Sequence, residues 1–193
     1  GKICGKDFGL VYNPEFIALG SVIRDFLNPD MVLIGASDAY SGDTVRDLYA
    51  SMVESAPQYA VMNLINAEIA KLSLNCFVTM KISFANELAA LCASTPGADV
   101  DTVTSALGAD SRIGPKYLKG GLGFGGPCFP RDNRAMQHYA ASKGFDLRLS
   151  PAVTQVNDDV VDRLFATITG LVAQPGPVAL LGLTYKPGTH IVE

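Results

Sequence analysis

Apolar positions along the chain change their spacing three times. From Phe8 to Tyr12 (FGLVY) and from Met31 to Ile34 (MVLI) they run in short unbroken blocks. The first block is followed by Asn13-Pro14 and the second is ended by Gly35, so both predict buried strands. Pro14 to Arg24 fits a helix or a loop. From Ser41 to Ser55 the spacing becomes helical, with Ser41 as a cap and Val45, Leu48, Met52 and Val53 on one apolar face. Strand–helix alternation of this kind predicts the last part of an α/β domain.

Pro57 breaks that pattern, and the longest periodic segment follows, from about Met62 to Ala93, without Pro or Gly. At ~1.5 Å per residue, about 30 residues make a rod of ~45 Å. A rod so rich in Ala, Leu and Ile needs cover on most sides, from its own domain or from a partner chain. Asn75, Lys81, Asn86 and Glu87 interrupt it, which makes it a poor membrane span. Thr95-Pro96-Gly97 ends the rod, and Asp99 or Asp101 caps a short helix through Leu107. Gly108 to Phe129 is a long loop with glycines at 114, 120, 121, 123, 125 and 126, and long loops in compact domains are usually functional. Arg131 to Lys143 predicts a helix ended by Gly144. Ser150-Pro151 opens another, with Ser as cap and Pro in the first turn, running to about Val172. Pro175-Gly176-Pro177 is a linker, and Val178 to Leu183 (VALLGL) predicts a buried strand. The expected architecture is a mainly helical centre flanked by α/β fragments, a piece of a longer protein.

Composition narrows the function classes. Of 193 residues, 48% are hydrophobic and 18% charged, which is a core-forming balance. The net charge of -4 disfavours a general nucleic-acid binder. No segment reads as a signal peptide. The four cysteines, at 4, 76, 92 and 128, form no CxxC pair and there are only two histidines, which argues against a structural zinc site and a disulfide scaffold. Free thiols suit a reducing cytoplasm.

Three places can carry chemistry. Glycines let a backbone approach a ligand and expose its N–H groups. In Gly120 to Asp132 they run directly into Cys128 and a new helix. A helix N-terminus favours the thiolate there and Arg131 adds positive charge, while Asp132 opposes it but can orient a water or accept a proton. The alternative is a buried cysteine beside a flexible turn. On the rod, Glu68, Lys71, Asn75 and Thr79 fall at i, i+3, i+7 and i+11, one polar stripe that is either an oxyanion-stabilising face or a solvated one. Glu15 follows a strand, where acids of α/β enzymes often sit, though an isolated loop glutamate is more often only exposed. Arg112, Lys116 and Lys119 form a basic cluster leading into the glycine loop, open to phosphate binding or to solvation. Cys4, Cys76 and Cys92 read as structural, and His138 and His190 have no triad context.

Asn13-Pro-Glu-Phe, Ala67-Glu-Ile-Ala-Lys71-Leu-Ser-Leu-Asn75, Lys81-Ile-Ser-Phe-Ala-Asn86-Glu87 and Gly123-Phe-Gly-Gly-Pro-Cys128-Phe-Pro-Arg-Asp132 resemble, in order and spacing, the UDP-glucose/GDP-mannose dehydrogenase family. Leu181-Gly-Leu-Thr-Tyr-Lys186-Pro-Gly-Thr189 resembles the opening strand of that family's third domain. The resemblance implies the fold: a mainly α central dimerisation domain with a long helix, flanked by α/β, Rossmann-like fragments. Residues 1–61 are then the end of the NAD-binding domain, 62–174 the central domain, and 175–193 the start of the sugar-nucleotide domain. It implies a cytoplasmic homodimer, joined through the central helices, that oxidises the C6 alcohol of a nucleotide sugar to a carboxylate with two NAD(P)+. Cys128 would form a thiohemiacetal and then a thioester, standing beside the cofactor. Lys71 and Asn75 would stabilise the oxyanion, Glu15 would act in acid–base steps through water, and Asp132 would support deprotonation or water activation. Phe16, Tyr117, Lys119, Gly123, Phe124 and Gly125 would hold the sugar nucleotide, Arg112 that of a neighbouring subunit, and Lys186 would touch it from the third domain.

Two positions depart from the family pattern. Leu19 stands where many members carry a second glutamate, and His190 to Glu193 replace a Thr-x-Asp-x-Arg continuation. No Gly-x-Gly-x-x-Gly follows a predicted strand, as the dinucleotide fingerprint requires. UDP-glucose is the default substrate, with UDP-N-acetylated hexosamines and GDP-mannose as alternatives. A non-catalytic helical dimerisation module and a different cysteine enzyme are the competing readings, the latter short of a base near the thiol.

Overall fold

The structure is a computed structural model that describes residues 1–172, 174 and 176–192. It divides into two compact units. The first is Gly1–Ser73 with Lys186–Thr189; the second is Leu74–Tyr185 with the last residues from His190.

The first unit is built on a three-stranded sheet in the order β1 (Val11–Tyr12), β2 (Met31–Ala36), β3 (Gln58–Asn63). β1 runs antiparallel to β2, and β3 pairs with β2 in parallel from Met31↔Gln58 to Ala36↔Asn63. Helix α1 (Val22–Leu27) precedes β2, and α2 (Ala39–Met52) crosses from β2 to β3. Val32 to Gly35 are buried at four consecutive positions, as in a central strand covered on both faces. The core is Val32, Ile34 and Tyr49, packed with Val11, Phe26, Val45, Val53 and Tyr59.

Several expectations for this unit are corrected. The first strand is only Val11–Tyr12, and Phe8 instead makes an isolated bridge with Cys4. β1 pairs with Ala36 and Gly35, where β2 ends, so Phe8 and Leu10 find no ladder and remain exposed. The α2 cap is Asp38 rather than Ser41: its carboxylate accepts the Ser41 N–H at 2.9 Å and the Ser41 hydroxyl as well. A carboxylate offers a stronger acceptor to the helix start than a hydroxyl does. The core-facing side of α2 is Val45, Tyr49 and Val53, while Leu48 and Met52 face outwards. β3 occupies the positions where the rod was expected to begin, because a parallel partner strand captures Gln58–Asn63.

Helix α3 (Leu64–Ala93) starts in the first unit and provides the spine of the second, which adds α4 (Val100–Ala109), α5 (Phe129–Ser142) and α6 (Leu149–Leu171). Asp99 caps α4 by accepting the Thr102 N–H at 2.7 Å. Within the second unit, α3 buries a polar face. Asn75, Thr79, Ser83 and Asn86 are all at most 8% exposed, whereas Phe77, Phe84 and Leu91, seven residues apart, point outwards. Each buried polar group has a partner, as burial requires. Thr79 Oγ1 accepts from Asn133 Nδ2 at 3.0 Å, and the Ser83 hydroxyl donates to the Val153 carbonyl at 3.0 Å. By length and composition α3 is apolar enough to cross a membrane, with a window of mean hydropathy 1.3. Within the second unit its polar stripe is turned inwards.

Asn133 is the hub of the interior. It is 1% exposed, donates to Thr79 Oγ1 and to the Phe129 carbonyl, and accepts the Ser150 hydroxyl at 2.8 Å. Ser150 in turn accepts from Gln137 Nε2 at 3.0 Å. Ser150 is therefore a buried member of α6 and not its cap; Arg148 holds the cap position. Val178 to Leu183 form no strand, and Val178, Leu180, Leu181 and Leu183 are exposed. No neighbouring strand pairs with them among the described residues. Within the Pro175-Gly176-Pro177 linker, Pro175 lies outside the described residues.

Replacing Asn133 with Ala removes its hydrogen bonds to Thr79, Phe129 and Ser150, while Thr79 Oγ1 still donates to the Asn75 carbonyl and Ser150 Oγ still accepts from Gln137. We expect the second unit to lose about 3 kcal/mol, roughly 1 kcal/mol for each hydrogen bond that the Asn133 side chain makes, against about 1 kcal/mol or less for Gln137→Ala. Urea unfolding followed by circular dichroism measures both, and equal small losses would remove Asn133 from its place as hub.

Candidate active site

In the first unit, the chain leaves β1 through Asn13-Pro14-Glu15. Asn13 Nδ2 donates to the Leu33 carbonyl at 2.8 Å, which ties this turn to the central strand. The Tyr49 hydroxyl, projecting from α2, donates to Glu15 Oε1 at 2.7 Å. Burial pushes the Tyr49 pKa above the ordinary value, and the Glu15 carboxylate, which accepts its proton and would repel a phenolate, adds to the rise; Asn13 opposes it. The next residue, Phe16, lies under the Lys71 ammonium, 5.6 Å from ring centre to nitrogen. A cation over an aromatic face is held electrostatically while its hydrogens remain available. So Glu15, Phe16 and Lys71 are each placed by a specific contact. Tyr49 was not singled out from sequence; a tyrosine at a core-facing helical position, which must find a partner for its hydroxyl, was the available signal.

In the second unit, Cys128 sits at the N-cap position of α5 and is exposed. Its side chain makes no capping hydrogen bond, so the sulfur is not consumed by the helix it opens. Pro130, early in the first turn, has no N–H to satisfy there. One turn on, Asp132 is 2% exposed and its oxygens are divided. Asn75 Nδ2 donates to Oδ2 at 2.6 Å, and Arg131 Nε donates to Oδ1 at 2.9 Å. Asp132 first, and then a smaller contribution from the Cys128 thiolate, raise the Arg131 pKa above its usual value. The guanidinium thus interacts with both Asp132 and Cys128.

The glycine loop is anchored along its length. Lys81 Nζ donates to the carbonyls of Ile113 and Gly114 at 3.0 and 3.1 Å. Leu118 is buried, and Tyr117 before it takes φ 64°, a conformation that a bulky residue adopts only when its surroundings impose it. Asn86, from α3, accepts the Gly121 N–H at 2.8 Å and donates to the Leu122 carbonyl at 3.4 Å. Asn157, from α6, accepts the Phe124 N–H at 2.7 Å and donates to the Phe124 carbonyl at 3.1 Å. A Cβ at Gly123 would lie 2.6 Å from Asn157 Oδ1, and one at Gly126, whose φ is 78°, would lie 2.7 Å from the Tyr185 ring. Phe124 meets Phe129 edge to face at 6.3 Å, next to Cys128. Lys119 is exposed and Gly125 half-buried in this loop. Arg112 is exposed and forms a bidentate pair with Asp110, with contacts of 3.0 and 2.6 Å. Lys186 is half-buried in the turn that belongs to the first unit. Asn86 and Asn157 were not among the candidates from sequence; Asn86 extends the polar stripe of α3, and Asn157 is an amide in an otherwise core-facing stretch.

A dinucleotide places its pyrophosphate on a helix N-terminus after a strand. Here the β2–α2 turn carries the Asp38 carboxylate on the first N–H groups of α2, and the neighbouring hydroxyls of Ser37 and Ser41 hold it there. That negative charge makes this turn no seat for a pyrophosphate.

The helical unit thus presents a cysteine at a helix start beside a clamped carboxylate, in a chain whose other unit is α/β. Residues 65–159 match the family model of the UDP-glucose/GDP-mannose dehydrogenase family, central domain, and residues 1–53 match the NAD binding domain of the same family. The UDP-glucose 6-dehydrogenase of Pseudomonas aeruginosa is 41% identical over 180 residues, covering 92% of this chain and 40% of the relative. A solved UDP-glucose dehydrogenase from Pyrobaculum islandicum aligns with a TM-score of 0.77 at 37% identity, over 86% of this chain and 38% of that one. The UDP-D-ManNAc dehydrogenase of Pyrococcus horikoshii aligns with a TM-score of 0.69 at 25% identity, over 86% and 37%. The chain belongs to the UDP-glucose/GDP-mannose dehydrogenase family. It spans less than half the length of the relatives it matches. Its fold is that of the family's helical central domain with a Rossmann-like fragment before it.

The Tyr49 contact gives the first unit a pH signature. The unfolded chain loses this phenolic proton near the ordinary value of 10.0, while the folded chain retains it to higher pH. Tyr49 therefore contributes stability that is complete below pH 10.0 and is lost as pH rises beyond it. Thermal unfolding from pH 8 to about pH 11 is expected to fall less steeply at the alkaline end for Tyr49→Phe than for the unaltered chain; identical slopes would show that Tyr49 titrates normally.

Proposed function

We propose that this chain carries the sugar-oxidising residues of an NAD-dependent UDP-glucose 6-dehydrogenase, which converts the C6 alcohol of UDP-glucose to a carboxylate. The observation that carries the reading is Asp132, buried one turn after Cys128 and held by Asn75 and Arg131. NAD, the ligand of the domain matched at residues 1–53, supplies the two-electron acceptor and is used twice.

The chain's own residues do the rest. Cys128, at the N-terminus of α5 and next to Arg131, adds through its sulfur to the C6 aldehyde to give a thiohemiacetal. Asn75 has a second N–H beyond the one given to Asp132, and Lys71 lies one helical turn before it; these two stabilise the oxyanion at C6. After oxidation to the thioester, water attacks the carbonyl carbon and the thiolate of Cys128 leaves. Asp132 orients that water, and Glu15, steadied by Tyr49, exchanges protons through water. Phe16, Tyr117, Lys119, Gly123, Phe124 and Gly125 would hold the sugar nucleotide, with Lys186 and a partner subunit's counterpart of Arg112 completing the site, and Cys128 would also be a cofactor-binding residue. UDP-glucose is favoured over UDP-N-acetylhexosamines and GDP-mannose by the identity to the Pseudomonas aeruginosa enzyme.

The same reading divides the chain into residues 1–61, 62–174 and 175–193 as parts of the cofactor, central and sugar-nucleotide domains. It makes the protein a cytoplasmic homodimer, in which the outward Phe77, Phe84 and Leu91 of α3 are covered by a second copy.

A full-length protein containing this chain, given NAD+ and limiting UDP-glucose, is expected to yield two NADH per sugar, and none with Cys128→Ala. A folded protein that produces no NADH from any nucleotide sugar would leave the chain as a non-catalytic helical module.

A further inference from the structure

We propose that Asn86 and Asn157 are positioning residues that hold the segment Gly121–Phe124 as a preformed surface for the nucleotide sugar. The inference rests on the function proposed above and extends it to two residues that do not touch the reacting atoms.

An asparagine side chain carries the same donor and acceptor as a peptide group. Asn86 and Asn157 each use both, against N–H and C=O groups of the loop, at distances of 2.7 to 3.4 Å. They come from different helices, α3 and α6, so the loop is stitched to both sides of its own unit. Among the described residues, Gly121 to Phe124 make no hydrogen bond to another backbone group. Two of the four are glycines, which have most to lose in conformational entropy when ordered. The four side-chain hydrogen bonds are therefore what selects one conformation.

The fit is mutual at Gly123. A Cβ there would meet both Oδ1 and Cγ of Asn157, at 2.6 and 3.1 Å. Any side chain at position 123 must push the amide off Phe124. The grip also reaches the reaction centre, since Phe124 packs on Phe129, the residue after Cys128. Asn86 is 3% exposed and cannot contact a ligand, and Asn157 spends its amide on the loop. Both act through the backbone they hold.

Preorganisation of this kind appears in substrate binding rather than in the chemical step. In the full-length enzyme, Asn157→Ala is expected to raise the KM for UDP-glucose about tenfold, with kcat and the KM for NAD+ changed by less than about threefold. Asn157→Asp, which keeps the acceptor and the shape but loses the donor, is expected to fall between the two and guards against an Ala variant that fails to fold. Gly123→Ala, with both asparagines intact, is expected to reproduce the Asn157→Ala pattern. Variants that lower the melting temperature or the number of titratable Cys128 thiols, but leave the KM for UDP-glucose unchanged, would overturn the proposal and leave the asparagines as supports of the fold. If the unaltered enzyme neither binds nor oxidises UDP-glucose, the function reading itself fails and the proposal falls with it.

Discussion

The structure of the second unit depends on one requirement: the polar groups that α3 buries must all find partners. Asn75, Thr79, Ser83 and Asn86 follow one another along a single face of the helix and are almost inaccessible to water. An unpaired amide or hydroxyl in such a place costs a few kcal/mol by rough count, of the order of a small unit's whole stability. Their partners fix everything around them. Asn75 takes Asp132 at the start of α5, Thr79 takes Asn133 one residue on, Ser83 takes the backbone of α6, and Asn86 takes the glycine loop. Apolar contacts alone would let α5 and α6 slide or rotate at little cost, whereas paired polar groups admit one register.

That register determines the electrostatics near Cys128. Asp132 is shared between an amide on α3 and the guanidinium of Arg131. Arg131 is largely exposed, so its contribution is screened by solvent, while the Asn75 bond is buried and is not. The amide therefore does most to fix the position of Asp132, and the guanidinium does most to fix the local charge. Position and charge are set by different residues, and neither residue is the nucleophile.

Much of this could be read from sequence, and the failures have physical causes. The rod, the helix that opens at Cys128 and the glycine loop were visible because each leaves a local mark: period, a cap position, or composition. The polar stripe was also visible in Asn75 and Thr79, but its meaning was not, since the same spacing suits a wet face and a buried one. What decided it was the arrival of Asp132 and Asn133 from 57 and 54 residues away. β3 was missed because Gln58–Asn63 becomes a strand only beside β2. Ser150 was misread for a related reason: Ser-Pro at a helix start has a local meaning, and a buried asparagine overruled it. Val178 to Leu183 were expected to pair because the run is apolar, yet apolarity supplies no hydrogen-bonding partner.

The glycine loop shows the same logic from the opposite side. A loop that must approach a ligand closely cannot carry bulky side chains, and without them it cannot pack itself into shape. Hydrogen bonds between its own backbone groups would fold it into a turn and consume the N–H groups that a phosphate or hydroxyl needs. Asparagines from the surrounding helices meet both limits, because they order Gly121 to Phe124 from outside and ask for only a few of the loop's polar groups. The helices can do so only because they are already locked by the polar stripe of α3. Ordering thus passes outward from the buried amides to the loop, and the loop needs no rigidity of its own.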